Sequence, residues 1–173
     1  MIVTKRLLLR PVEKSDAAAI YAYSRDAAVG RNAGWKPHES LHETREIMRR
    51  VFLERPDVYA ILADGQLIGT IGLIPDPKRE NSETRMLGYA LGVPYWGRGY
   101  MTEAARAVVA NGFTEGGYTL ISAYCYPENA RSKRVLEKLG FRLEGRLALC
   151  EQRYDGAVLD NECYALRRED WMP

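Results

Sequence analysis

The sequence predicts an α+β fold in which a mixed β-sheet carries helices on its faces. Two apolar runs, Val58–Ala63 and Gln66–Ile74, are joined by Asp64-Gly65, which is the strongest short signal for an antiparallel hairpin. Strand–helix–strand units follow this hairpin, and such units favour parallel pairing. The 173 residues, 46% hydrophobic and 28% charged, are typical of one soluble domain, which we expect to span residues 1–173.

The N-terminal segment predicts a strand followed by a helix. Residues 2–10 are mostly apolar and we expect them to form one strand that ends at Pro11. Ser15 or Asp16 then provides the N-cap of a helix that continues to about Tyr23.

A second helix is predicted from a capping box. Ser40 and Glu43 have the spacing at which each side chain bonds the other residue's backbone N–H. The residues that share one face of this helix are Leu41, Met48, Val51 and Phe52. Residues 30–38 show no periodicity and are predicted to be irregular.

The second half of the chain alternates strands and helices. The predicted strands are residues 85–93, 120–126, 141–151 and 159–166. A helix between the first two is indicated by one apolar face, made of Met101, Ala104, Ala105, Val108, Val109 and Phe113. A shorter amphipathic helix ends at Gly140.

Charge and composition exclude several classes of protein. A net charge of +2 argues against nucleic acid as the main partner, because phosphate-backbone binding needs an excess of positive charge on one face. Three cysteines without a CxxC pair and only two histidines predict no structural metal site. The sequence shows no signal peptide and no run of about 20 apolar residues. We therefore expect a cytoplasmic protein without a membrane span.

A glycine-containing turn lies between a predicted strand and a predicted helix, in the segment YWGRGYMTEA. Gly97 and Gly99 permit close approach of a ligand to backbone N–H groups at a helix N-terminus, where the helix dipole favours an anion. Arg98 adds a positive charge. Thr102 stands where GxGxxG needs its third glycine, so a dinucleotide-binding (Rossmann) reading is disfavoured.

The sequence resembles the GNAT acetyltransferases, and within them the ribosomal-protein N-terminal acetyltransferase branch. The family's pyrophosphate loop, Arg/Gln-x-x-Gly-x-Gly/Ala, aligns with residues 96–101, where Gly99 matches its central glycine and Trp96 and Met101 depart from its ends. Residues 129–141 match the family's Asn-x-x-Ser…Leu-x-Lys-x-Gly-Phe segment. The opening TKRLLLRPVEKSDA and the stretch GWKPHESLHET match too, so the resemblance covers essentially the whole chain.

The resemblance implies acetyl-CoA as co-substrate, bound where two sheet strands splay apart. The pantetheine arm would bond the backbone near Leu91 and Val93, and unpaired backbone groups in such a gap suit an amide-bearing ligand. The remaining expected coenzyme contacts come from the turn and from the following strand–helix unit: Trp96, Gly97, Arg98, Gly99, Tyr100, Met101, Thr102, Asn129 and Arg134.

The resemblance also implies two catalytic residues. Ser132 would donate a hydrogen bond to the leaving thiolate, because the tyrosine that many GNAT enzymes place seven residues after the asparagine is Leu136 here. Glu151 would activate the amine through water. A backbone N–H near Val93 is a candidate oxyanion donor. His38, His42, Glu43 and Tyr126 are weaker candidates for the base.

The expected reaction is direct acetyl transfer to a primary amine, and the α-amino group of a protein is the first candidate acceptor. Two alternatives stay open: a small-molecule amine such as a polyamine, antibiotic or amino acid, or a coenzyme-binding regulatory module without turnover. The chain is expected to act as a monomer or homodimer.

Overall fold

The computed structural model describes residues 1–172, which form an eight-stranded sheet with helices on both faces. The strands are β1 (Ile2–Val3), β2 (Leu7–Pro11), β3 (Val58–Ala63), β4 (Gln66–Ile74), β5 (Thr84–Leu91), β6 (Leu120–Cys125), β7 (Arg142–Gln152) and β8 (Val158–Arg167). The helices are α1 (Ala17–Ser24), α2 (Ala27–Ala33), α3 (Leu41–Val51), α4 (Tyr100–Thr114) and α5 (Ala130–Lys138). The strand order is β1-β2-β3-β4-β5-β6-β8-β7.

The predicted α+β class and the splayed sheet are confirmed. Neighbouring strands are antiparallel except β5 and β6, which run parallel. That pair is in register only from Thr84–Leu120 to Met86–Ser122, although β5 continues to Leu91 and β6 to Cys125. The two strands therefore part in the middle of the sheet.

The two faces of the sheet carry separate hydrophobic clusters. Val108 and Phe113 of α4 and Leu136 of α5 are buried on one face, and Ile20 of α1 and Met48 of α3 are buried on the other. The helices therefore cover both faces of the splayed region.

The single strand predicted over residues 2–10 is wrong, because the chain folds back at Thr4. The backbone N–H of Thr4 donates to the carbonyl of Leu7 at 2.9 Å, and the Thr4 hydroxyl accepts from the Leu7 N–H at 3.0 Å. These bonds close a tight turn, so β1 pairs antiparallel with β2.

The irregular segment predicted over residues 30–38 is partly wrong, because α2 covers its first residues. Asp26 provides the N-cap by accepting from the Ala28 N–H at 2.8 Å, and Gly34 ends the helix in the left-handed conformation, with φ 85°. A seven-residue helix with Gly30 and Asn32 in its interior is too short and too poor in helix formers to show periodicity.

The predicted cap of α3 is confirmed for Ser40, whose hydroxyl accepts from the Glu43 N–H at 3.1 Å. The return bond differs, because the Glu43 carboxylate accepts from the backbone N–H of Glu39 at 2.6 Å rather than from that of Ser40. The Asp64-Gly65 hairpin is also confirmed, with φ values of 49° and 77° at its two central residues.

Within residues 1–172, no helix has the length and apolar character that crossing a bilayer requires. The same residues hold no group of three or more His, Cys, Asp or Glu placed to share a metal ion.

Candidate active site

A cleft of about 580 Å³ opens where β5 and β6 part. Its walls are the C-terminal half of β5, the turn before α4, the first turn of α4, the end of β6 and one face of α5. Positively charged residues that line the cleft are Lys78, from the connection between β4 and β5, and Arg131, Arg134 and Lys138 of α5. Among the cleft-lining residues that the structure describes, Glu151 is the only carboxylate.

The glycine turn leads the backbone into the cleft. Gly97 and Gly99 have φ values of 75° and 78°, a region that side-chain-bearing residues seldom adopt. Gly99 is the N-cap of α4, and no side chain of residues 1–172 bonds this N-terminus. Its first amides, from Tyr100 to Thr102, lack intrahelical partners by the geometry of any helix and belong to residues that line the cleft.

The turn between β1 and β2 fixes the far side of this loop. The Arg6 guanidinium donates to the Glu103 carboxylate at 2.7 Å and to the Arg98 carbonyl at 3.0 Å, and it lies 4.6 Å from the centre of the Tyr100 ring. Burial alone would raise the pKa of Glu103, but hydrogen bonds from Thr4 and Arg6 outweigh it and hold that pKa below its ordinary value. The carboxylate near the helix N-terminus is thus neutralised by Arg6 and turned away from the cleft.

Trp96 connects the loop to both walls. Its indole N–H donates to the Leu91 carbonyl at 2.7 Å, and the Arg131 guanidinium of α5 lies 4.1 Å from the centre of its ring. The Leu91 carbonyl, an expected coenzyme acceptor, therefore already has one donor. A carbonyl oxygen has two lone pairs and can accept a second bond.

Ser132 lies in the first turn of α5, where Asn129 provides the N-cap. The Asn129 side-chain carbonyl accepts from the Ser132 N–H at 3.2 Å, and its amide donates to the Asn32 carbonyl of α2 at 3.3 Å. The Ser132 hydroxyl lies 2.8 Å from the Tyr89 hydroxyl of β5. Leu136, at the usual tyrosine position, is 0% exposed and belongs to the core.

A bulge in β7 turns Glu151 toward the cleft. From 147 to 151, four steps of β7 lie opposite two steps of β8, from 161 to 159. Leu149 within the bulge has φ 49°, and its N–H donates to the Asp160 carboxylate at 2.8 Å. Bulges re-aim side chains in this way beside many active sites.

The Glu151 carboxylate is held by two neighbours. The Tyr126 hydroxyl donates to one oxygen, and the Asn161 amide donates to the other at 2.8 Å. Burial and the bond to Glu151 raise the pKa of Tyr126, so the phenol stays protonated as the donor. Gly34 at the end of α2 packs against this pair, since a Cβ there would lie 2.6 Å from the Tyr126 hydroxyl.

Two of the residues expected from the sequence lie outside the cleft lining. Val93 is 36% exposed and begins a short 3₁₀ turn, so the strand predicted to reach residue 93 ends at Leu91 instead. Pro94, which follows Val93, cannot donate to a strand ladder. The Arg98 side chain is exposed, and its contribution to the loop is a carbonyl that accepts from Arg6.

The other expected residues all line the cleft: Leu91, Trp96, Gly97, Gly99, Tyr100, Met101, Thr102, Asn129, Ser132, Arg134 and Glu151. Of the four weaker candidates for the base, only Tyr126 lines the cleft. Tyr126 contacts Glu151, whereas His38 is buried against Thr44 at 2.9 Å and His42 is exposed beside Glu46. Glu43 caps α3.

The family relationship is decided by the sequence profile described as "Acetyltransferase (GNAT) domain", which matches residues 6–142. The chain belongs to the GNAT acetyltransferases. It is 33% identical to the uncharacterised N-acetyltransferase YnaD of Bacillus subtilis (strain 168), over 98% of each chain. A GNAT acetyltransferase from Bacillus anthracis has a similar structure, with TM-score 0.84, 29% identity, and coverage of 97% of this chain and 98% of that one.

Two more distant GNAT structures have acceptors in their names. The ribosomal-protein-S5-alanine acetyltransferase of Vibrio fischeri superposes with TM-score 0.77 at 23% identity, covering 99% of this chain and 98% of its own. The spermidine N-acetyltransferase of Vibrio cholerae, solved with CoA and spermine, superposes with TM-score 0.81 at 18% identity, covering 96% and 98%. These two likenesses bear on the GNAT fold alone. That the chain is an N-acetyltransferase rests on the family profile and on the more similar relatives.

Sequence reasoning missed Tyr89, Asn161 and the Arg6–Glu103 pair. Tyr89 and Ser132 are 43 positions apart, and Arg6 and Glu103 are 97 apart. The only available signal was the position of Arg6 inside the TKRLLLRP segment of the resemblance.

Proposed function

We propose that the chain moves the acetyl group of acetyl-CoA directly to a primary amine in the cleft between β5 and β6. The observation that carries the proposal is the parting of these strands beside an α4 N-terminus that no side chain of residues 1–172 caps. The gap suits the amides of pantetheine, and the helix amides suit a pyrophosphate. Arg131, Arg134 and Lys138 supply positive charge on the facing helix.

Glu151 is the proposed base. An α-amino group has a pKa near about 7.7–8.0, so weak assistance is enough to supply the neutral amine. The bonds from Tyr126 and Asn161 fix the carboxylate, and each of its oxygens keeps a lone pair for a water or an ammonium group. The proton lost by the amine passes to Glu151, directly or through water.

Ser132 is the proposed donor to the departing sulfur. Acetyl-CoA supplies the acetyl group as a thioester, so a C–N bond forms while the C–S bond breaks. The leaving thiolate takes its proton from solvent water, and Glu151 returns the amine proton to solvent. A hydroxyl aimed at that sulfur stabilises charge that develops only during the reaction. The cleft-lining residues proposed to hold the coenzyme are Leu91, Trp96, Gly97, Gly99, Tyr100, Met101, Thr102, Asn129 and Arg134. Val93 and Arg98 lie outside this lining and are not included.

Charge in the cleft favours an acceptor with one positive charge, and our first candidate is the α-amino group of a peptide. A polyamine carries several ammonium groups, each of which needs a carboxylate partner to be desolvated. Glu151 alone among the described cleft-lining residues offers one. The fold itself does not discriminate between the two acceptors, because an S5-alanine acetyltransferase and a spermidine acetyltransferase share it.

A panel of amines tests this proposal. Free thiol release is followed with acetyl-CoA and either peptides beginning with alanine or serine, single amino acids or spermidine. We expect a peptide to give the highest kcat/KM and to gain one acetyl mass at its N-terminus. A higher kcat/KM for spermidine would overturn the acceptor, and coenzyme binding without release to any amine would indicate a regulatory module.

Direct transfer, as opposed to transfer through an acetyl-enzyme intermediate, is tested by incubation without an acceptor amine. Burial raises the pKa of the nearby Cys125 thiol to about 11, so this thiol is not a ready nucleophile. Mass spectrometry after incubation with acetyl-CoA alone should therefore find no acetyl group on Ser132 or on a cysteine. A stoichiometric adduct that an amine discharges at the turnover rate would contradict direct transfer.

A further inference from the structure

Tyr89 reaches across the cleft from β5 to the first turn of α5. Its ring lines the cleft, and its hydroxyl oxygen lies 2.8 Å from the Ser132 Oγ but 3.5 Å from the Ser132 carbonyl oxygen. The short contact is therefore with the hydroxyl that the proposed function assigns to the leaving sulfur.

We propose that Tyr89 is a positioning residue that donates its hydrogen bond to Ser132 and so leaves the serine hydrogen for the sulfur of acetyl-CoA. This inference rests on the proposed function of Ser132. Tyr89 itself does not touch the reacting atoms in the proposal, and it exchanges no proton with the substrate.

The need for such a partner follows from the position of Ser132 in α5. A serine in a helix can turn its hydroxyl back to a carbonyl of the preceding turn, and that hydrogen is then lost to catalysis. A hydroxyl is one donor and two acceptors. A donor that bonds one lone pair of the Oγ fixes the position of this oxygen. Polarisation along the chain of bonds then strengthens the hydrogen bond that the serine hydroxyl itself donates.

Tyr89 is suited to remain the donor. Burial raises its pKa, against the opposing effect of the Ser132 bond, so the phenol keeps its proton across the working pH range. The position of this ring also compensates for Leu136, whose side chain is part of the core and carries no donor. Many GNAT enzymes carry a tyrosine hydroxyl at the position of Leu136. In this chain the donor on α5 would be the Ser132 hydroxyl, oriented by Tyr89 from β5.

A double-mutant cycle on kcat tests whether Tyr89 acts through Ser132. Ser132→Ala should lower kcat about 10–1,000-fold, the scale of one well-placed donor. Tyr89→Phe should lower kcat about 3–10-fold, the scale of one hydrogen bond, and leave the KM for acetyl-CoA within about twofold. The double variant should match Ser132→Ala, because Tyr89 has nothing left to orient. Tyr21→Phe is the control, since it also removes one hydroxyl bond, to Glu39, outside the cleft.

The outcomes separate the two levels of the proposal. Wild-type activity in Ser132→Ala would remove the proposed donor itself. If Ser132→Ala lowers kcat but Tyr89→Phe leaves it unchanged, only the role of Tyr89 is overturned. The same conclusion follows if both single variants lower kcat and the double variant shows the product of the two losses.

A second variant keeps the hydroxyl and the packing. Fluorinated tyrosine at position 89 has a more acidic phenol, which stops donating once it ionises. The rate relative to wild type should then fall at high pH, and this fall should be absent when Ser132 is alanine. With Ser132 in place, a ratio that stays flat through the pH at which the absorbance of the fluorinated phenol shows its ionisation would contradict the inference, whatever the stability of Tyr89→Phe.

Discussion

At the scale of the residue, Glu151 shows how much of a catalytic position depends on neighbours. The strand that carries it, β7, is exposed along nearly its whole length. In a regular strand, the alternation of side chains between the two faces of the sheet would alone decide which way Glu151 points. The bulge at Leu149, the Asp160 bond and the contacts from Tyr126 and Asn161 direct it into the cleft instead.

Glu151→Gln tests whether this carboxylate acts as a base. The amide keeps the shape but cannot take a proton, so the rate should fall most at low pH, where the amine is charged. The deficit relative to wild type should shrink from about pH 6.5 to 9.5, as the amine deprotonates without help. Glu128→Gln, an exposed neighbour of the site, is the control. A deficit that stays constant over this range would assign Glu151 to binding.

At the scale of the element, the β1–β2 turn and the loop before α4 behave as one unit. Arg6 contacts Arg98, Tyr100 and Glu103, so the N-terminal hairpin fixes the loop that should receive the pyrophosphate. A loop held in its binding conformation loses less entropy when the ligand binds.

Arg6→Met should therefore weaken acetyl-CoA binding more than it weakens the fold. We expect the Kd and the KM for acetyl-CoA to rise about tenfold, equivalent to about 1.4 kcal/mol, with kcat nearly unchanged. Arg167→Met is the control, because it removes a more exposed ion pair, to Glu169, far from the loop in sequence, and should leave both constants unchanged. A loss confined to kcat, or an unchanged KM, would mean that the Arg6 contacts do not hold the loop in its binding conformation.

Asp76, in the connection between β4 and β5, stabilises the end of the sheet at which β5 and β6 are still paired. The carboxylate is buried and accepts from the hydroxyls of Ser122 and Tyr124 on β6, next to the last β5–β6 pair. Burial alone would raise the pKa of Asp76, but the bonds from Ser122, from the Lys78 N–H and from Tyr124 hold it below the ordinary value of 3.8.

Asp76→Asn should destabilise the fold by about 3 kcal/mol near neutral pH, since a buried, paired carboxylate is lost. A depressed pKa gives stability that is present above 3.8 and is lost as the pH falls through the folded-state value. The difference between wild type and variant in urea unfolding should thus shrink below about pH 4. Asp155→Asn, in an exposed turn, should cost much less. Equal losses in the two variants would contradict a special role for Asp76.

At the scale of the whole molecule, local signals were readable and long-range pairings were not. The Asp64-Gly65 hairpin and the Ser40 cap depend on neighbouring residues, and both formed as the sequence predicts. Helix α2 was missed because it is short, and the strand over residues 2–10 was misread because a threonine side chain closes a turn within it. Tyr89–Ser132 and Arg6–Glu103 join distant elements, and nothing in single-sequence periodicity specifies which partners meet.

The central claim, that acetyl-CoA binds in the splayed cleft through the glycine loop, is tested most directly by calorimetry on Gly99→Glu. The substitution places bulk and negative charge at a φ of 78° beside the proposed pyrophosphate position. Gly156→Glu makes the same change at a φ of 85° in the turn between β7 and β8, where a Cβ meets nothing within 4 Å. We predict that folded Gly99→Glu loses more than tenfold in affinity for acetyl-CoA, which is above about 1.4 kcal/mol, while Gly156→Glu binds as wild type does. Wild-type affinity in Gly99→Glu would contradict the account and leave the loop as a turn.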